Sequence, residues 1–132
     1  GSENKYCRYG VLSGGMLQRA SIGRALACDS KLLMLDEYSS GLDYFTKFEL
    51  QDLLLKIFNN RDVDRTFLMV THDISEAVYL SNRIYILEPK PCRIKEVIDI
   101  KFSQPRTQAI RETDEFKDYY AKVLKALNET VK

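Results

Sequence analysis

"KLLMLDE", residues 31–37, is a short unbroken apolar run that stops on two acids, Asp36 and Glu37. A continuous run of this length, without polar alternation, is the pattern of a strand covered on both faces, as in a parallel sheet packed between helices. An acid at the carboxyl end of such a strand stands at the rim where open α/β sheets bind their ligands. Taken alone, the pattern is more often that of a strand followed by a solvated acidic loop, so its neighbours decide.

Downstream, Asp43 can cap a helix to about Asn59, whose apolar side is predicted to include Phe45, Phe48, Leu54, Leu55 and Phe58. Residues 66–70 read as a second buried strand, with Thr71-His72-Asp73 at its carboxyl end. Asp73, followed three residues later by Glu76, resembles a capping box for a short helix to Leu80. Residues 84–88 are predicted as a third strand, Pro89-Lys90-Pro91 turns the chain, and residues 93–100 alternate as a fourth strand at an edge or in a hairpin. Phe116, Tyr120, Val123, Leu124 and Leu127 stripe a C-terminal helix. Upstream, residues 17–28 read as a helix from Leu17, Ala20, Ile22, Ala25 and Leu26, although Gly23 inside it costs about 1 kcal/mol against Ala. Strands separated by helices argue an α/β fold, a mostly parallel sheet with helices on both faces.

Composition narrows the function. The 132 residues are one domain's worth, and 45% hydrophobic with 30% charged is ordinary for a globular chain. A net charge of +1 gives no electrostatic reason to expect nucleic acid or an anionic membrane. Cys7, Cys28 and Cys92 are odd in number and widely spaced, which fits a reducing compartment better than a disulfide framework or a zinc site. No apolar run approaches the roughly 20 residues needed to span a bilayer, and no signal peptide opens the chain. Gly1-Ser2, with no initiator Met, reads as a cloning remnant.

Three places carry chemistry. Ser13, Gly14 and Gly15 stand directly before the predicted helix 17–28, where unpaired N–H groups and a partial positive charge meet a backbone without bulky side chains. That is a seat for a phosphate, although an isolated Ser-Gly-Gly is also a plain glycine turn. Gly10 to Gly15 has the G-x-x-x-x-G spacing of a P-loop, but Met16-Leu17 stands where Lys and Ser or Thr are required, so this is no Walker A motif. Asp36 is placed like the aspartate that holds Mg²⁺ in P-loop nucleoside triphosphatases, and Glu37 could orient and deprotonate an attacking water. His72, the one histidine, follows the second strand and falls on the same rim.

Leu12-Ser13-Gly14-Gly15-Met16, Gln18-Arg19, residues 32–37, Ser40-Gly41-Leu42-Asp43 and Val70-Thr71-His72-Asp73 resemble, in that order, the signature, Walker B, D-loop and H-loop of ABC-type ATPases. Met16, residues 49–55, Glu76-Ala77, Pro91-Cys92-Arg93-Ile94 and Pro105-Arg106 are similar to the nitrate, sulfonate and taurine importer ATPases. The resemblance runs from about Leu12 to the last helix. Tyr38 stands where that family usually has Pro, Gly41 replaces an Ala, Ser30 a Pro and Cys92 a Gly. None of these removes a functional group, and Cys92 is expected at a position favouring φ > 0, with modest strain.

The family's domain is about twice as long, and its first half carries the adenine-stacking aromatic, the P-loop and the Q-loop. The resemblance therefore implies a C-terminal half: a partial P-loop NTPase fold lacking the P-loop strand, with residues 1–2 a remnant, 3–106 the C-terminal part of the ATPase domain and 107–132 a C-terminal helical extension. It implies the ATP-hydrolysing subunit of an importer of a small anion, bound at the cytoplasmic face of the cell membrane. Ser13, Gly14 and Gly15, with Met16 and Gln18, would bind nucleotide in trans across a head-to-tail dimer. Asp36 would hold Mg²⁺ through water, Glu37 act as base, His72 contact the γ-phosphate and Asp43 link the two sites. The implied partners are a second ATPase subunit, a transmembrane permease and a substrate-binding protein, with no nucleic acid. ATP and Mg²⁺ belong to the whole protein; the 132 residues alone are expected to bind neither well and to lack ATPase activity. Self-association is expected to cover the sheet edge that a missing P-loop strand leaves open. Three other functions share parts of this pattern. An ABC-type ATPase of DNA repair or chromosome maintenance would bring a coiled coil, zinc motif or basic face, none of which is present. A non-catalytic binding module would have no use for Glu37 and His72, and a free-standing regulatory half-domain would be encoded as such.

Overall fold

The apolar run ending in Asp36 forms the middle strand of a three-stranded parallel sheet, in the order β1 (Tyr6–Tyr9), β2 (Leu32–Asp36) and β3 (Thr66–Val70). A computed structural model describes residues 6–9, 22–24, 31–60, 62 and 64–130. They fall into two compact units, which divide between His72 and Asp73.

In the first unit β2 pairs with both neighbours, Tyr6 opposite Leu32 on one side and Leu32 opposite Thr66 on the other. Strand β1 was not expected: four residues are too few for a periodicity to register. Leu33 and Leu35 of β2 are buried, and Leu32 and Met34 are half-buried, close to the expectation. Strand β3 corrects it. Phe67 and Met69 are half-buried, but Leu68 and Val70 on the other face are 44% and 50% exposed. An apolar run reports the residue types on both faces and not the cover a neighbour supplies.

Between β2 and β3 runs α1 (Tyr44–Phe58), the crossover that a parallel pair requires. Leu50, Gln51, Leu54 and Leu55 form its buried side, and the Phe58 ring lies 4.2 Å from that of Phe67 on β3. Phe45, predicted on that side, is 77% exposed. It lies two and a half turns from Leu54 and so faces the opposite way. Residues 22–24 are helical and Ile22 is buried; the rest of the predicted helix 17–28 lies outside the described residues.

The second unit comprises α2 (Ile74–Leu80), the antiparallel hairpin β4 (Arg83–Pro89) and β5 (Cys92–Asp99), a 3₁₀ turn (Gln108–Glu112) and α3 (Asp114–Thr130). Of the four predicted strands two thus form a separate ribbon. A two-stranded ribbon is marginal alone. Helix α3 covers its inner face, and Phe116, Val123 and Ala126 are buried along with Ile84, Ile86 and Ile98. Tyr120 and Leu124, predicted in the same stripe, sit at its margin and are exposed. No helix among the described residues is long and apolar enough to cross a membrane.

Two arginines fasten the segment between the hairpin and α3. Arg106 Nη1 donates to the carbonyls of Val78 and Tyr79, at 3.3 and 2.7 Å, where α2 runs out of internal partners. Its Nη2 reaches the Ile100 carbonyl at 3.4 Å, and burial holds its pKa below the usual arginine value. Arg111 lies over the Tyr79 ring, 4.4 Å from its centroid, and donates to Gln108 and Ser75. A lysine at position 106 would keep the charge and lose the fork that serves three carbonyls at once. Arg106→Lys is therefore expected to cost about 2 kcal/mol in urea denaturation.

Candidate active site

Strands β2 and β3 end on the same rung, Asp36 opposite Val70. The Glu37 N–H donates to the Val70 carbonyl at 2.8 Å, adding one more backbone bond before the chains part. Two residues past Val70, His72 Nε2 lies 2.9 Å from Glu37 Oε1. The parallel register therefore brings Asp36, Glu37 and His72 to one sheet edge. The His72 side chain is 94% exposed and that of Glu37 39%, so the contact stabilises the fold by at most about 1 kcal/mol. Its consequence is positional: the imidazole and the carboxylate face each other at that rim.

The turn out of β2 is tight. Glu37 has φ 47°, in the left-handed region that costs a non-glycine residue about 1 kcal/mol or more. The Ser40 N–H then closes onto the Glu37 carbonyl at 3.1 Å, and that of Leu42 onto Ser39 at 3.2 Å. Gly41 has φ 80°, which a residue without Cβ adopts freely. Asp43 ends the turn and begins α1: its Oδ1 accepts from the Thr46 N–H at 2.8 Å and its Oδ2 from the Thr46 hydroxyl at 2.9 Å. These two bonds hold the Asp43 carboxyl below its ordinary pKa. Thr46 was missed in the sequence, although a Thr three residues after a capping Asp was there to be read. The strain expected at Cys92 is absent: among the described residues Glu37 is the one non-glycine with positive φ, and Cys92 is an exposed free thiol.

Ser13, Gly14, Gly15, Met16 and Gln18 lie outside the described residues. Among the described residues no group of three or more His, Cys, Asp or Glu side chains forms a metal cluster. An exposed Asp36 at a strand end, with one further acid beside it, nevertheless suits Mg²⁺, which binds through one or two carboxylates and keeps most of its waters.

A family model described as ABC transporter matches residues 2–40. The aliphatic sulfonates import ATP-binding protein SsuB of Bacillus licheniformis is 45% identical over 130 residues, 98% of this chain and 48% of that one. Its counterpart in Bacillus cereus is 45% identical over 113 residues, 86% of this chain and 43% of that one. The chain is thus similar to the ATP-binding proteins of ABC transporters. It spans about half the length of the curated relatives it matches. Among solved structures, the dimeric post-hydrolysis state of the ATP-binding cassette MJ0796, bound to ADP and Pi, is similar at a TM-score of 0.55 and 32% identity, over 69% of this chain and 37% of that one. The likeness agrees with a partial P-loop NTPase fold built on parallel strands.

In this chain the Asp43 cap has a definite pH signature. A carboxyl whose pKa is depressed by folding stabilises the fold above its unfolded pKa, and the contribution fades as pH falls through the folded value. Asp43→Ala is expected to lower the melting temperature near neutral pH, with the gap to wild type closing from about pH 4 downward. Asp43→Asn, also a good cap, is expected to keep most of the wild-type stability at neutral pH. Thermal melts across that range check both.

Proposed function

We propose that this chain supplies the signature, Walker B and H-loop side of the ATP-hydrolysing subunit of an ABC importer, coupling ATP hydrolysis to uptake of a small anion such as nitrate, sulfonate or taurine. The observation that carries this is the Glu37 carboxylate at the end of β2, 2.9 Å from His72 and adjacent to Asp36. The import role draws on the relatives named for aliphatic sulfonate import. A carboxylate part-open to solvent can take the proton of an attacking water, the task of Glu37. His72, exposed above the same edge, can turn a ring N–H toward a γ-phosphate oxygen. Asp36 would hold Mg²⁺, which when bound would offset the charge of the phosphates. Ser13, Gly14 and Gly15, with Met16 and Gln18, grip a nucleotide seated on a second ATPase subunit, arranged head to tail, and Asp43 joins the two sites. A transmembrane permease and a substrate-binding protein complete the assembly at the cytoplasmic face of the membrane.

Within its 132 residues the chain holds no G-x-x-x-x-G-K-[ST] cradle, so alone it is expected to release no phosphate from Mg-ATP. The decisive test joins it to the part of the Bacillus licheniformis relative that it does not span. That chimera is expected to hydrolyse ATP, with Glu37→Gln lowering kcat by roughly 10²–10⁴-fold at nearly unchanged ATP affinity. Turnover by the isolated chain, or a chimera indifferent to Glu37→Gln, overturns the proposal.

A further inference from the structure

The first turn of α1 carries the two most exposed large apolar side chains among the described residues, Tyr44 at 66% and Phe45 at 77%. Their rings meet edge to face with centroids 5.9 Å apart, and the Tyr44 ring leans on that of Phe48 at 4.2 Å. Beneath them the Asp43 cap holds the backbone through both of its bonds to Thr46. The helix itself gains nothing from the rings, since its first turn favours acids. Aromatic side chains presented together to water mark a contact surface.

What meets them follows from where the turn leads. Bonds from the Ser40 N–H to Glu37 and from the Leu42 N–H to Ser39 close that turn, so the rings begin where the turn out of the candidate site ends. In the function proposed above, each of two subunits grips the nucleotide of the other. Such reciprocity requires a two-fold axis, and a segment that joins both sites lies near it. On a two-fold axis a side chain faces its own copy, which a charge resists and an apolar ring does not. Asp43 and Lys47 stand one helical turn apart, on either side of Phe45. An axis through Phe45 therefore sets each Asp43 against the partner's Lys47, and the cap keeps that carboxyl ionised.

We propose that Tyr44 and Phe45 are a docking surface for a second copy of the ATPase subunit, with Phe45 meeting its own copy at the two-fold axis and Asp43 meeting the partner's Lys47. The inference rests on the two-subunit reading and adds an apolar anchor to it.

The test uses the chimera with the Bacillus licheniformis relative, carrying Glu37→Gln so that ATP stays in place. By sedimentation in Mg-ATP the parent chimera is expected to be a dimer, and Phe45→Asp to weaken that dimer by about tenfold or more. Aspartate in a first turn favours the helix, so Phe45→Asp is expected to melt no lower than its parent, which separates a lost contact from a lost fold. Phe45→Cys, with the three native cysteines of this chain made serine, is expected to cross-link two copies on oxidation in Mg-ATP. A Phe45→Asp chimera that dimerises like its parent overturns the proposal. So does a thiol at position 45 that stays open to maleimide in the dimer, an outcome that assigns the rings to another partner. A parent that stays monomeric in Mg-ATP fails the two-subunit reading itself and this inference with it, so the parent's own behaviour tells the two failures apart.

Discussion

The register of β2 against β3 is the constraint on which the candidate site depends. Two parallel strands that end on one rung must release their following residues at one edge, and no contact between the loops is needed to bring them there. His72 is far from Asp36 and Glu37 in sequence yet their neighbour because Asp36 pairs with Val70. Helix α1 makes that register possible by carrying the chain back to begin β3 beside the start of β2. Its N-cap, Asp43, is therefore as much a part of the site's scaffold as the strands.

A second consequence concerns energy. The site's polar groups gain little from one another, since an exposed imidazole and a part-exposed carboxylate are screened by water. What holds them is packing beneath them: Leu33, Leu35 and Tyr38 in the turn and strand, Leu50, Leu54 and Leu55 on α1. The exposed imidazole and part-exposed carboxylate are thus free to change partners without opening the core. The second unit solves its own problem separately, with α3 over a two-stranded ribbon and arginine forks where helix carbonyls run out.

Much of this was legible beforehand, for identifiable reasons. Runs of unbroken apolar residues located β2 and β3, and Asp43 and Asp73 announced α1 and α2 because a capping side chain has few other uses at a loop–helix boundary. The proline-flanked turn located the hairpin. The misses have a common cause. Phe45, Tyr120, Leu124, Leu68 and Val70 are apolar and exposed, and residue type cannot say which apolar positions a neighbour covers. β1 is too short for a period, and the Ser13–Gly15 corner, the most specific sequence signal, lies outside the described residues.

The turn at Glu37 was illegible for a deeper reason. Glycine, asparagine and aspartate advertise left-handed backbone; glutamate does not, so nothing local predicts it. In a sequence whose local preferences otherwise agree with its fold, the described residues break the rule once, and they break it at the carboxylate facing His72. A strain-free alternative was available, since a glycine at position 37 would adopt the same φ at no cost. Glycine would also have no carboxylate. If Glu37 has the role proposed for it, the strain has a use: about 1 kcal/mol of backbone conflict keeps an acid part-exposed where alternation would have buried it.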